Sequence, residues 1–148
     1  MLCYSRAQEV TMATPTRTLR LRPRLCAEIE RIAKRTRRSF SEVTQDLLEE
    51  AVRMRECPGV HFADEPAGRE AKVTGTGLGV WEVVDMHRGA GGNTKKLMAR
   101  HPHLSEAQIK AALTYYTRYP DEIDGLAAES RALYEAGHGL QEKVARRR

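Results

Sequence analysis

Aromatic residues are scarce in this chain of 148 residues: they make up 5% of it, with one tryptophan, Trp81. Any core must therefore be mostly aliphatic. Cysteine is equally sparse. Cys3, Cys26 and Cys57 are odd in number and far apart, which matches neither a disulfide framework nor zinc-ligand spacing. Cys26 falls in a helical pattern and reads as a small core or boundary residue. No apolar run approaches the roughly 20 residues that a membrane helix needs. The first residues, MLCYSRAQEVTMATPT, have no apolar stretch of the secretory kind and include Glu9. A cytoplasmic protein without a membrane partner is expected, with residues 1–14 disordered and either Met1 or Met12 as its start.

Charge is abundant. Charged residues make up 30%, with a net charge of +5 and a pI near 9.3. It is also unevenly placed. Nine basic residues from Thr16 to Ser41 (Arg17, Arg20, Arg22, Arg24, Arg31, Lys34, Arg35, Arg37, Arg38) face only Glu28 and Glu30, a local balance of +7. From Cys57 to Glu142 nine basic residues meet twelve acidic ones, a balance of −3, before the tail Lys143 to Arg148 turns basic again. A basic block followed by a mildly acidic body suggests a polyanion-binding module joined to a second unit. The length suits one domain or two small ones.

In the basic block, Thr16-Arg17-Thr18-Leu19-Arg20-Leu21-Arg22-Pro23 opens the pattern. Thr18 to Leu21 alternates as a half-buried strand does, with Leu19 and Leu21 on one face and Thr16, Thr18, Arg20 and Arg22 on the other. Arg17 shares the leucine side by this alternation and is placed at a frayed end. Pro23 fits a first helical turn. Leu25, Ile29, Ile32 and Ala33 form one helical stripe, which the polar run Lys34 to Arg38 ends. Ser39 and Glu42 make a capping-box pattern ahead of a second stripe, Phe40, Val43, Leu47, Leu48, Ala51 and Val52. Strand, helix and helix in some forty residues cannot bury a sufficient core alone. Pairing the strand with that of a second copy gives a two-fold dimer with a two-stranded antiparallel ribbon backed by four helices.

This order, with Thr18-Leu19-Arg20-Leu21, Leu25, Ile29, Ile32-Ala33, Arg38-Ser39-Phe40-Ser41-Glu42-Val43 and Leu47, resembles the ribbon-helix-helix regulators of the Arc, MetJ and CopG type. Arg22 stands where that family often has proline, and Pro23 comes one residue later. The resemblance implies a dimer that binds double-stranded DNA. A two-stranded ribbon fits the major groove, where arginine reads guanine. Thr16, Thr18 and Arg20 are the expected base readers. Arg22, Arg37, Arg38, Ser39, Phe40 and Ser41 are the expected phosphate contacts, the last three through amides at a helix start.

Cys57-Pro58-Gly59 reads as a linker to a second unit, so the expected layout is residues 15–56, 57–138 and a basic flexible tail, 139–148. Ala71–Val73 and Leu78–Val80 are expected to form a small hairpin around Thr74-Gly75-Thr76-Gly77. Trp81, Val84 and Met86 start a short helix that stops at Gly89, Gly91 and Gly92. A helix over Thr94–His101, a turn at Pro102-His103-Leu104, and a helix capped by Ser105 with Ile109, Ala112, Leu113 and Tyr116 follow. Tyr119-Pro120 ends it, and a last helix carries Ile123, Leu126, Ala127 and Leu133 until Gly137 and Gly139 loosen the chain. The fold class is mainly α, with a ribbon strand and a minor hairpin.

The second unit resembles a small helical domain of unknown function found in antitoxins of the VapB type. The residues that carry this are Gly68-Arg69, Val73-Thr74-Gly75-Thr76, Val80-Trp81, Val83-Val84, Pro102-His103-Leu104-Ser105, Ile109 to Leu113 and Tyr119 to Ile123. Gly77 and Gly79 replace an arginine and a proline common there. The resemblance implies a helix-turn-helix-like domain with a PIN-like toxin as partner, or a second DNA contact through Lys95, Lys96 and Lys110. The balance of −3 favours a protein partner over a dedicated DNA reader.

Catalytic signals are weak. His101-Pro102-His103 lacks zinc-motif spacing. Gly75-Thr76-Gly77-Leu78-Gly79 lacks the Gly-Lys-Ser/Thr ending of a phosphate loop. Asp121, Glu122 and Asp124 sit at a helix start, where carboxylates favour the dipole. No cofactor, metal site or enzyme activity is expected. The expected function is a transcription repressor of antitoxin type, dimeric and of higher order on DNA. The competing expectation is an interaction module whose ribbon only dimerises the chain.

Overall fold

The computed structural model describes residues 15–66 and 68–145, with side chains as far as Gly137. The expected disordered residues 1–14 and the last three arginines lie outside the described residues. The chain is mainly helical with one small sheet: α1 (Pro23–Thr36), α2 (Phe40–Glu56), β1 (Val60–Glu65), β2 (Gly68–Val73), α3 (Val80–Gly89), α4 (Thr94–Arg100), α5 (Glu106–Arg118) and α6 (Pro120–Ala145). It packs as two units that divide between Thr44 and Gln45, inside α2.

In the first unit, Arg22 is extended (φ −65°, ψ 141°) and Pro23 opens α1, where its missing N–H is harmless. Ile29 and Ala33 are buried, Ile32 and Cys26 half-buried, and Leu25 exposed. At the end of α1, Arg37 takes the left-handed conformation (φ 55°, ψ 38°). The amides of Arg37 and Arg38 donate to the carbonyls of Lys34 and Ala33 at 3.4 and 3.0 Å. Arg37 is the only non-glycine residue with positive φ among the described residues. Glycine is usual there, and an L-residue costs about 1–2 kcal/mol.

Residues 15–22 form no strand within the chain, and Leu19 is 63% exposed. Among the described residues no segment pairs with Thr18–Leu21, so the strand, which is expected to pair with a second copy, is not formed within the single chain. Val43 is buried on α2, yet Leu48 and Val52 are 52% and 55% exposed. The second stripe is therefore covered at one end only.

The second unit has a contiguous aliphatic core, with Val73, Val80, Val83, Leu97, Leu104, Ile109, Ala112 and Ile123 all buried around Tyr115. The hairpin is displaced from expectation. Ala71–Val73 is strand, but its partner is β1, in the antiparallel register Val60↔Val73 to Glu65↔Gly68. Leu78–Val80 is no strand. The Val73 amide donates to the Leu78 carbonyl and one bridge joins Lys72 to Gly79, but Val80 already begins α3. The glycine turn before it thus leads into a helix.

Cys57-Pro58-Gly59 is a packed turn rather than an open linker. Cys57 is fully buried, and its amide donates to the Arg53 carbonyl at 2.8 Å. Gly59 has φ 92°, and a Cβ there would lie 2.9 Å from that of Ala111, so both backbone and space demand glycine. Asn93 caps α4, and Ser105 caps α5 in a reciprocal box with Gln108. These two helices and their turn sit as expected. The last helix does not stop at Gly137 or Gly139 but runs to Ala145. Glycine in an exposed helix costs only about 1 kcal/mol and does not by itself end one. Ile123 and Ala127 are buried, whereas Leu133 is 67% exposed, so the apolar stripe of α6 outruns the core.

Candidate nucleic-acid interface

The expected contacts of the first unit lie on residues 15–22 and on the turn from α1 to α2. Thr16, Thr18, Arg20, Arg22, Arg37, Arg38, Ser39 and Ser41 are exposed, and Phe40 is half-buried. Arg22 and Arg24 border a shallow groove with Leu25 and Glu28. Of the nine cations, Arg31 is engaged by Glu28 one turn away at 2.7 Å.

The start of α2 is built as the sequence suggests, with one consequence for the expected phosphate contacts. The Ser39 amide and hydroxyl both donate to Glu42 Oε2, at 2.9 and 2.7 Å, and the Glu42 amide donates to Ser39 Oγ at 3.2 Å. The side-chain and backbone donors of Ser39, helped by the Arg38 charge, hold the Glu42 carboxyl below its ordinary value. Of the three amides expected to meet phosphate, that of Ser39 is thus committed to an internal carboxylate.

In the second unit Lys95, Lys96 and Lys110 are exposed. Lys96 donates its amide to the Asn93 cap at 2.9 Å, and Lys95 borders a groove formed with Gly91, Gly92, Thr94 and Glu106. A carboxylate in that groove interrupts any cationic face.

Several strongly engaged polar residues of this unit were not singled out by the sequence. Arg53 pairs with Glu49 and Glu122, donates to Tyr115 Oη at 2.9 Å and lies over the Tyr119 ring at 4.3 Å. Tyr115 Oη in turn donates to Glu122 at 2.9 Å. Desolvation pulls the Arg53 pKa down, but its bonds to Glu122 and Tyr115 outweigh this and the net shift is upward. Burial pushes the Tyr115 phenol up as well. Arg69 bonds Glu50 through both Nε and Nη2 and reaches Asp64 at 3.1 Å. Arg88 pairs with Asp124 at 2.6 Å and stacks on Tyr116. Burial raises the Glu70 carboxyl against the opposing pull of Lys72, with Glu65 and Glu82 adding repulsion. Only Glu49–Arg53, at helical i,i+4 spacing, was open to sequence reasoning. The remaining partners come from other elements.

His101 and His103 meet edge to face, with ring centroids 5.8 Å apart. Among the described residues no three histidine, cysteine or carboxylate side chains converge as a metal site would need. In the glycine turn, the Leu78 amide donates to Thr76 Oγ1 at 3.0 Å and the Gly79 amide to Glu82 Oε2 at 2.7 Å. Amides that a phosphate loop would hold open are committed here. Asp124 and Glu122 are the partners of Arg88 and Arg53.

Residues 63–116 match the family model described as a protein of unknown function, DUF433. The chain is also similar to a crystal structure of a DUF433 member protein from Anabaena variabilis. The two are 30% identical, the match covers 59% of this chain and 83% of that one, and the TM-score is 0.41. The chain therefore contains a DUF433 unit. No curated protein matches it. The DUF433 span runs from β1 into α5, so it includes Lys95, Lys96 and Lys110 and leaves Thr16 to Ser41 outside. The family description itself names no activity.

Proposed function

We propose that the chain is a dimeric, sequence-specific DNA-binding regulator, a repressor of antitoxin type. Its residues 15–56 bind operator DNA, and its DUF433 unit holds a protein partner such as a PIN-like toxin. The observation that supports this reading is the combination, within residues 15–56, of a +7 block with an apolar stripe that is uncovered in part. Leu19, Leu48 and Val52 stand exposed in the single chain, as they would if a second copy completed the core. The ribbon so formed would present Thr16, Thr18 and Arg20 to base edges, with Arg22, Arg37, Arg38, Phe40 and Ser41 near phosphate. In the DUF433 unit, much of the surface charge is spent on internal ion pairs, which favours a protein partner there over DNA.

Binding to duplexes bearing the chain's own promoter, against random duplex over a range of salt, tests the reading. Arg20→Ala is expected to cost about 1–3 kcal/mol and to relax one base preference. Arg38→Ala should weaken all sequences alike. A wild-type chain with no salt-dependent preference for its promoter would sink the proposal. A stable complex with a co-expressed neighbour, without any DNA shift, would favour the interaction module.

A further inference from the structure

We infer that the outer part of α6 pairs antiparallel with α6 of a second copy of this chain. This contact is separate from the ribbon and rests on α6 alone. The helix runs to Ala145, yet among the described residues only Ile123 and Ala127 of it are buried, and Leu133 is 67% exposed. Gly125, Gly137 and Gly139 weaken a helix that few contacts support. Its outer turns gain stability only by packing against another surface.

The spacing on α6 points to what that surface is. Leu126, Leu133 and Leu140 recur at every seventh residue, and Ser130, Gly137 and Val144 hold the other seam position of the same heptad. A repeat of seven suits helix against helix. In a parallel pair Ser130 and Gly137 would each face their own copies and leave voids between the leucines. In an antiparallel pair each small residue meets a large one: Ser130 faces Leu140 of the second copy, and Gly137 faces its Leu133.

Charge selects the same orientation. Over 120–136 five carboxylates oppose Arg131, a balance of −4, whereas over 137–148 Lys143, Arg146, Arg147 and Arg148 oppose Glu142, a balance of +3. Two of the five, Glu122 and Asp124, already serve Arg53 and Arg88, but the exposed Asp121, Glu129 and Glu135 still outnumber Arg131. The two halves lie side by side only when the copies run in opposite directions. At the flanking positions of this register Glu129 of each copy falls beside Lys143 of the other, and Ala136 falls beside Ala136 on the two-fold axis. The pattern complements itself, as a second copy requires and an unrelated partner does not. Residues 126–144 span fewer than three heptads, too short to hold two dilute chains together unaided. The contact therefore adds to the ribbon and does not replace it.

Cysteine trapping reads the register in the full chain. Cys3→Ser and Cys26→Ser leave the buried Cys57 as the one native thiol. With a short bismaleimide at high protein concentration, Ala136→Cys is expected to give covalent dimer, and Ala132→Cys on the outer face is not. Glu129→Cys and Lys143→Cys should each give none alone, because like positions lie about 21 Å apart along the pair, and should cross-link when mixed. Added to Ala136→Cys, Leu133→Asp should cut the yield with helix content by circular dichroism unchanged. Lys143→Glu should cut it about five-fold, as the loss of two exposed ion pairs implies, and Glu129→Lys added to Lys143→Glu should restore it. No dimer from Ala136→Cys, equal yield from Ala132→Cys, cross-linking of Glu129→Cys with itself, or a charge swap that restores nothing would each overturn the pairing. Loss of duplex binding would sink the regulator reading without touching this result, since the trap needs no DNA.

Discussion

At the scale of single residues, the second unit turns on a few charges placed at the edge of an apolar core. Arg53 holds Tyr115 and Glu122 together from α2, and its removal leaves both without their cation. Arg53→Ala is expected to lower stability by about 2 kcal/mol in urea titrations, since hydrogen bonds to charged groups of this kind contribute about 1.5–3 kcal/mol. An unchanged midpoint would mean that the cluster is ornamental. Glu70 works in the opposite sense. Burial raises its folded pKa above the unfolded value, so the folded state binds its proton more tightly. Its favourable contribution is complete below the unfolded pKa and is lost as pH rises through the folded one. Glu70→Gln should therefore match the wild type in acid and exceed it at neutral pH. Equal melting curves at both pH values would contradict this. The lowered carboxyls of Glu42 and Asp124 lose their contribution as pH falls through their folded values, so acid should loosen the α2 start and the Arg88 pair together.

At the scale of elements, much of the helical layout was legible in the sequence. Pro23, the Ser39–Glu42 box, Ser105 and Pro120 are local signals, and each marks a helix start in the structure. The hairpin was legible only in half. Ala71 and Val73 alternate clearly, but Val60-His61-Phe62-Ala63-Asp64-Glu65 carries two carboxylates and a histidine, and its strand character comes from pairing with β2 and packing against the core. Leu78-Gly79-Val80 has strand-like composition, yet Glu82 reaches back to Gly79 and makes it a helix start. The candidate interface was legible as charge and pattern. The Ser39–Glu42 box was part of that pattern, but the left-handed Arg37 was not legible, because backbone handedness does not follow from residue type alone. The element with most at stake is the segment 15–22. Leu19→Asp should leave the secondary structure of the single chain intact, since that side chain touches little there. It should abolish self-association and duplex binding together, as read by sedimentation and gel shift. A dimeric Leu19→Asp chain would remove the ribbon from the proposed interface.

At the scale of the whole molecule, the two units are unequally provided for. Among the described residues, Ile29, Ala33 and Val43 are the buried apolar residues of the first, while the second encloses a core that includes Tyr115, Leu97, Leu104, Ile109 and Ile123. A unit with so little buried surface opens readily unless something covers it. Limited trypsin digestion of dilute protein is thus expected to cut first among Arg17 to Arg38 and to spare the region from Val60 to Arg118. Higher protein concentration or added duplex should slow those early cuts. Protection that ignores both would argue against a second copy on that surface. The division between the units inside α2 has a further consequence, for anyone who would build hybrids from this chain. A joint at Gly59, where the chain visibly breaks, would hand Glu50, Arg53 and Glu56 to the wrong parent and orphan Arg69, Tyr115 and Tyr119. A joint at Gln45 would instead cut a continuous helix after little more than its first turn. A workable graft must therefore carry the head of one parent on the rear half of the other parent's α2, so any natural exchange of heads in this family would leave its seam within a helix and not in a loop.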